Sequence, residues 1–247
     1  MNYNPYAAPQ AAPGPMMGGA PPPPQGGAQP WEPGEVFSLA WDGFKRNWGV
    51  LVGVVFVQML ITQIPSAIAN GIVQSGAVDP GSAAASGISG ACSLIGAFLG
   101  AFLAAGVIKV FLTAARGGVP NFGDMFGGGN KLLPILGTQI LMGLAIVVGF
   151  ILLIVPGIIL SLGLCLSTYY VADADYGPID AMKASWAATN GSKGKLFLLG
   201  LIGFLVMIVG VLACCVGALA SIAVYTLAMG IVFVRLSGRG TTPSGFD

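Results

Sequence analysis

Apolar residues fall in six long stretches separated by shorter polar ones, at about 48–70, 90–113, 132–153, 157–173, 195–213 and 217–236. About 20 apolar residues suffice to cross ~30 Å of hydrocarbon as a helix. No charge occupies the centre of any stretch. The pattern predicts an all-α polytopic membrane protein with six transmembrane helices and amphipathic interfacial helices on the cytoplasmic side. Pro65 is expected to kink the outer end of the first span, Pro156-Gly157 to break the chain between the third and fourth, and Gly217 to mark the turn between the fifth and sixth. A four-span reading would make 132–173 a re-entrant pair. Two apolar runs of about twenty residues favour full crossing instead.

A second pattern has helical period. Val36, Phe37, Ala40, Trp41, Phe44 and Trp48 recur at three- and four-residue spacing after Pro33, with Asp42, Lys45 and Arg46 off the stripe. Such a helix, with large rings on one side, suits the membrane interface. Residues 177–191 repeat the design: Pro178 and Asp180 at the start, Ile179, Met182, Trp186 and Thr189 on one face, and Asn190-Gly191 as a left-handed cap. A shift of 145 residues places Pro33 on Pro178, Glu35 on Asp180, Phe37 on Met182 and Trp41 on Trp186. A shorter segment, PNFGDMF at 120–126, precedes the third span, so each helix pair follows one interfacial segment. Repetition of this kind occurs in transporters, and shared amphipathic chemistry also produces it.

Charge fixes the expected orientation. All ten basic residues (Lys45, Arg46, Lys109, Arg116, Lys131, Lys183, Lys193, Lys195, Arg235 and Arg239) fall on one side of a six-span threading. Basic residues near span ends stay cytoplasmic, which places both termini on the cytoplasmic side of the membrane. Composition then excludes classes of function. Hydrophobic residues make up 55% of the 247 and charged ones 8%, with a mean hydropathy of +0.84, too little charge for a water-facing surface. A net charge of +1 gives no basic face for nucleic acid. With no histidine, the commonest general base and metal ligand is missing, so no cofactor or metal is expected. Cys92, Cys165, Cys214 and Cys215 lie in apolar segments without CxxC spacing and read as packing residues.

Residues 1–32 form a distinct Pro/Gly-rich tail, 33–236 the membrane domain and 237–247 a short cytoplasmic tail. Ten of the seventeen prolines lie in or just after the N-terminal tail. Its composition predicts disorder, with no basic start or apolar core of a signal peptide. It reads as a solvated spacer, or as a docking arm for a cytoplasmic protein partner, with Pro21–Pro24 as a polyproline II ligand.

Candidate functional residues are few. Lys109 can snorkel to the inner interface. Asp173 and Asp175 are expected to pair with Lys109 or Lys183, or to gate a cation path. Gln58, Gln63 and Gln139 are the amides inside spans, suited to bridging helices or touching a polar substrate. Gly96, Gly100 and Ala104 line a small-residue face for close contact within the chain or in an oligomer. The loop GGVPNFGDMFGGGNK lacks the spacing of a phosphate-binding loop and reads as a flexible linker.

The stretch PGIILSLGLCLSTYYVADADYGPIDAMKASWAATNGSKGKLFLL resembles the membrane domain attached to some bacterial glycerophosphoryl diester phosphodiesterases and related stand-alone bacterial membrane proteins. Pro156-Gly157, Asp173, Gly177-Pro178, Ala181, Ser185-Trp186, Thr189 and Gly191 carry the resemblance, which covers about 120–210 well and the remainder by layout. It implies a fold and a location. The hydrolase chemistry does not follow, because that family's histidines and acidic metal ligands are absent here. The expectation is a non-catalytic scaffold or accessory protein in a lipid bilayer, with a small transporter or lipid-handling protein as the alternative. Trp41, Lys109, Gln58, Gln139, Pro156, Gly157, Asp173, Asp175, Ser185 and Trp186 are the candidate functional or interface residues.

Overall fold

A computed structural model describes residues 30–212 and 214–238, with 214–216 described by backbone alone. The proline-rich arm up to residue 29, residues 239–247 and the side chains of Cys214 and Cys215 lie outside the described residues. The described chain is helical: α1 (Pro33–Gln74), α2 (Ala83–Ala115), α3 (Leu132–Leu152), α4 (Ile154–Leu164), α5 (Ser167–Ala174), α6 (Pro178–Thr189), α7 (Lys193–Leu212) and α8 (Cys214–Ser237). Two 3-10 segments, Phe122–Phe126 and Gly129–Lys131, join α2 to α3. Six helical runs are long and apolar enough to cross a membrane, with α4 and α5 together making the fourth.

The interfacial segments lie where periodicity puts them, each ahead of a helix pair. Pro33 and Pro178 both open their helices in the first turn, where a missing N–H has no intrahelical partner to lose. Gly191 adopts the left-handed conformation (φ +81°) between α6 and α7. At the corresponding place α1 stays continuous, with Asn47 (φ −125°, ψ 22°) as its one non-helical residue. Pro65 lies within α1, which runs on through it with helical backbone.

Three expectations are corrected. The break between the third and fourth spans is the single extended residue Leu153, three positions before Pro156 (φ −170°, ψ 156°). Pro156 instead sits in the first turn of α4, where proline is tolerated. Gly157 packs under the Phe150 ring across the hairpin. Gly217 lies inside α8 rather than in a turn, and its carbonyl accepts from Ser221 Oγ at 2.9 Å. A Cβ at Gly210 would meet that carbonyl at 2.6 Å, so small residues set the α7–α8 crossing. The loop at 117–131 is no loose linker. Met125 is fully buried, and Gly128 lies so close to α2 that a Cβ would meet Ala105 Cβ and Gly106 N at 2.6 Å.

Antiparallel pairs α1/α2, α3/α4 and α7/α8 pack together, and α8 also lies against α1 and α2. The α3/α4 hairpin joins the rest through α2, α5 and α6. The described basic residues share one end, tied there by contacts between distant elements. Burial is concentrated at and near this basic end: Phe44, Leu51, Phe111, Leu112, Met125, Leu166, Tyr170, Leu227 and Phe233 are all buried. Toward the far end, over 56–100, 140–162 and 200–222, the buried side chains described are Pro65, Ala69, Ala85, Gly96, Gly149, Gly157, Gly203, Gly210 and Ser221. Not one is large.

Candidate functional site

α2 is 33 residues long, about 50 Å at the helical rise, so it outruns the ~30 Å hydrocarbon layer. Its last turns are buried nearly all round, through Val107, Ile108, Val110, Phe111, Leu112, Ala114 and Ala115. Lys109, Thr113 and Arg116, at i, i+4 and i+7, form the one polar stripe along this stretch. That stripe walls a cleft of about 370 Å³ at the basic end. The opposite walls come from Gly127, Gly128, Asn130 and Lys131 of the ordered loop and from Ala172 and Asp173 of α5. Its lining is mostly polar, unlike the other cavities described below.

Two ion pairs brace the cleft. Arg116 Nη2 donates to Asp173 Oδ2 at 2.8 Å with both side chains partly buried. Lys131 Nζ lies 2.8 Å from Asp175 Oδ1 and donates to the Ala172 carbonyl at 2.6 Å. The expected pairing of Asp173 and Asp175 with Lys109 or Lys183 is therefore corrected. Arg116 at the end of α2 and Lys131 at the end of the loop reach α5 from the cleft side, whereas Lys183 is exposed on α6. Asp175 caps α5 in the left-handed conformation (φ 56°), which aspartate tolerates, and so turns the chain toward α6. Lys109 is exposed on the wall and carries no ion pair among the described residues.

Ser185 and Trp186 both contact the fourth span. The fourth span breaks at Cys165–Leu166, between α4 and α5. Fully buried Ser185 bridges this break: its Oγ donates to the Gly163 carbonyl at 2.8 Å and accepts from Leu166 N–H at 3.2 Å. Thr189 Oγ1 also reaches the Gly163 carbonyl, at 3.3 Å. These hydroxyls satisfy backbone groups that the break would leave unpaired. The Trp186 ring lies on Gly163, where a Cβ would collide with it, and Lys193 Nζ sits 3.4 Å from the ring centroid. The chain matches no protein-family model, no curated protein and no solved structure. Ser185, Trp186 and Thr189 dock α6 onto the broken span, and Gly191 turns the chain from α6 toward α7.

The remaining candidates scatter. Trp41 is half-exposed, stacked on Phe44 at 5.8 Å, and Trp48 is exposed, so the stripe of rings splits between core and surface. Gly96 and Gly100 pack against Thr62 of α1, making the small-residue face an intramolecular contact. The side-chain amides of Gln58, Gln63 and Gln139 bridge to no described residue. Gln63 borders an apolar groove of about 410 Å³ between α1, α7 and α8, lined by Phe56, Met59, Leu60, Met207, Leu219 and Ile222. A neighbouring groove of about 300 Å³ shares Met207 and Ile222 and reaches Tyr225. Both are lined almost wholly by apolar atoms.

Sequence reading passed over Trp31. It is 3% exposed in the core of the basic end, and Lys195 Nζ donates to its carbonyl at 2.8 Å. Arg235 Nη2 meets Glu35 Oε1 at 2.7 Å beside it, joining both ends of the described chain. The signal was available: Trp31 and Val36 flank the first turn of α1 at the spacing of a hydrophobic staple.

Proposed function

We propose that this chain is a non-catalytic accessory protein of a bacterial inner membrane, with both termini cytoplasmic, that presents a rigid platform and its proline-rich arm to a cytoplasmic partner. The observation that carries the reading is Trp31. A tryptophan buried at the root of the arm, its carbonyl held by Lys195, fixes where the arm leaves the protein. The dense packing of the basic end gives that anchor a stable base. The resemblance to the membrane domain attached to phosphodiesterases implies a fold and a location without the hydrolase chemistry, in keeping with a non-catalytic role. Crosslinking from membranes tests it with three proteins: the full chain, a chain without residues 1–30, and Trp31→Ala. The truncated chain should lose its partner, and Trp31→Ala should weaken capture. An unchanged partner set in the truncated chain refutes the recruiting role.

The second reading, lipid handling, draws on the paired apolar grooves between α1, α7 and α8. Bulky replacement at Gly200 or Ala218 should fill them, and lipid co-purifying with the protein should then fall. Unaltered lipid content would remove the support for this reading.

A further inference from the structure

We propose that the basic-end cleft between α2, the Gly127–Lys131 loop and α5 binds a phosphate-bearing anion, with Lys109 as its principal ligand. Three observations converge. Lys109, Arg116 and Lys131 bring three positive charges to the cleft, against Asp173 in its wall and Asp175 paired with Lys131. The carboxylates are already matched by Arg116 and Lys131, so the excess charge is that of Lys109. A cation would find no unmatched carboxylate there, whereas an anion finds an ammonium without a partner among the described residues.

Depth supplies the second argument. Lys109 lies 26 residues beyond Ala83, the first residue of α2, or about 39 Å along the helix axis. With Ala83 at one face of the ~30 Å hydrocarbon layer, Lys109 falls in the headgroup layer of the other. Basic pockets between helices at this level suit lipid phosphates. The third argument is construction. The cleft walls are held by the ordered loop, pressed onto Ala105 and Gly106, and by the two ion pairs. Asn130 stands exposed on the loop, and its side-chain amide offers a second donor without a described partner. A volume of about 370 Å³ admits a phosphate with its attached glycerol, within the ~300–1,000 Å³ usual for small-ligand sites.

The shared chemistry is a phosphate mono- or diester, and two sources can supply it: an anionic lipid headgroup or a soluble phosphate. The inference goes beyond the recruiting role and stands independently of the proline-rich arm. The test uses the full chain in phosphatidylcholine nanodiscs, with an amine-acylating reagent and mass spectrometry of each lysine peptide. Phosphatidylglycerol in the disc, or inorganic phosphate in the buffer, should slow acylation of Lys109 about tenfold near saturation, with exposed Lys183 unchanged. Protection by phosphatidylglycerol alone assigns a lipid headgroup, and protection by inorganic phosphate assigns a soluble ligand. Either result supports the cleft. Equal slowing at Lys183, or no slowing at Lys109 with both probes, overturns it.

Variants give a second readout. The protective ligand should raise the unfolding temperature of the wild type and of Lys109→Arg. The rise should be lost in Lys109→Gln, whose stability without ligand should stay at the wild-type level because Lys109 is exposed. A full ligand-induced rise in Lys109→Gln overturns the assignment.

Discussion

The two ends of this protein are built by different forces. At the basic end large side chains interlock: Phe111 and Phe233 are wholly buried, and Tyr169 and Tyr170 stack or meet edge-on with Phe233 at 5.6 and 5.0 Å. At the far end only small residues are buried, while Ile151, Leu152, Leu153, Ile154 and Leu212 are all more than 60% exposed. Water explains the first and lipid the second. α2, about 50 Å long, outruns a ~30 Å hydrocarbon layer, and helix turns that stand in water bury apolar surface through the hydrophobic effect. Inside the bilayer, lipid tails are as apolar as leucine, so helices meet only where small residues allow close contact. The apolar grooves lie on the side of the molecule where that force is missing.

Substitutions can break this contrast in a graded way. Phe111→Ala should cost about 4 kcal/mol, read as the unfolding free energy in nanodiscs, because it opens a cavity in a water-excluded core. Removal of exposed Phe204 in the far half by the same change should shift stability by less than about 0.5 kcal/mol. Equal losses at both positions would refute the two-force picture. Gly106→Val should come next, at about 3 kcal/mol, since its side chain meets the Met125 backbone rather than a flexible group. Hydrogen exchange should then rise across 117–131 and stay constant in α7.

Ser185→Ala should cost about 2 kcal/mol by leaving the buried Leu166 N–H unpaired and the Gly163 carbonyl with only the longer bond from Thr189. Its signature is faster exchange at the α4–α5 junction, and Ser185→Thr should recover part of the loss. Asp173→Asn should cost less than Ser185→Ala, about 1 kcal/mol or less, because the pair with Arg116 keeps some solvent contact. High salt should shrink the difference between wild type and Asp173→Asn, whereas the Phe111→Ala loss should persist in salt.

What was legible in the chain was local. Twenty-residue apolar runs, proline at the first helical turn in Pro33 and Pro178, and glycine at a left-handed cap in Gly191 depend on neighbours in sequence alone. Gly96 and Gly100 announced a close helix contact, though not that Thr62 would supply it. The ordered loop at 117–131 was misread, because six glycines suggest freedom until Met125 is seen anchored against α2. Lys109 was read as a snorkelling residue for the same reason. Its spacing with Thr113 and Arg116 is plain in the sequence, but only packing on every other side makes that stripe the wall of a cleft.

The sequence by itself determined that six apolar helical runs form and that the basic residues gather at one end, because hydropathy, helical period and charge act over a few residues. Tertiary structure decided which acid meets which base, which hydroxyls bridge the broken span and where Trp31 is buried. Those contacts join positions 19 to 164 residues apart. They form only once segments distant in sequence have packed, because each pair of partners stands on two different elements.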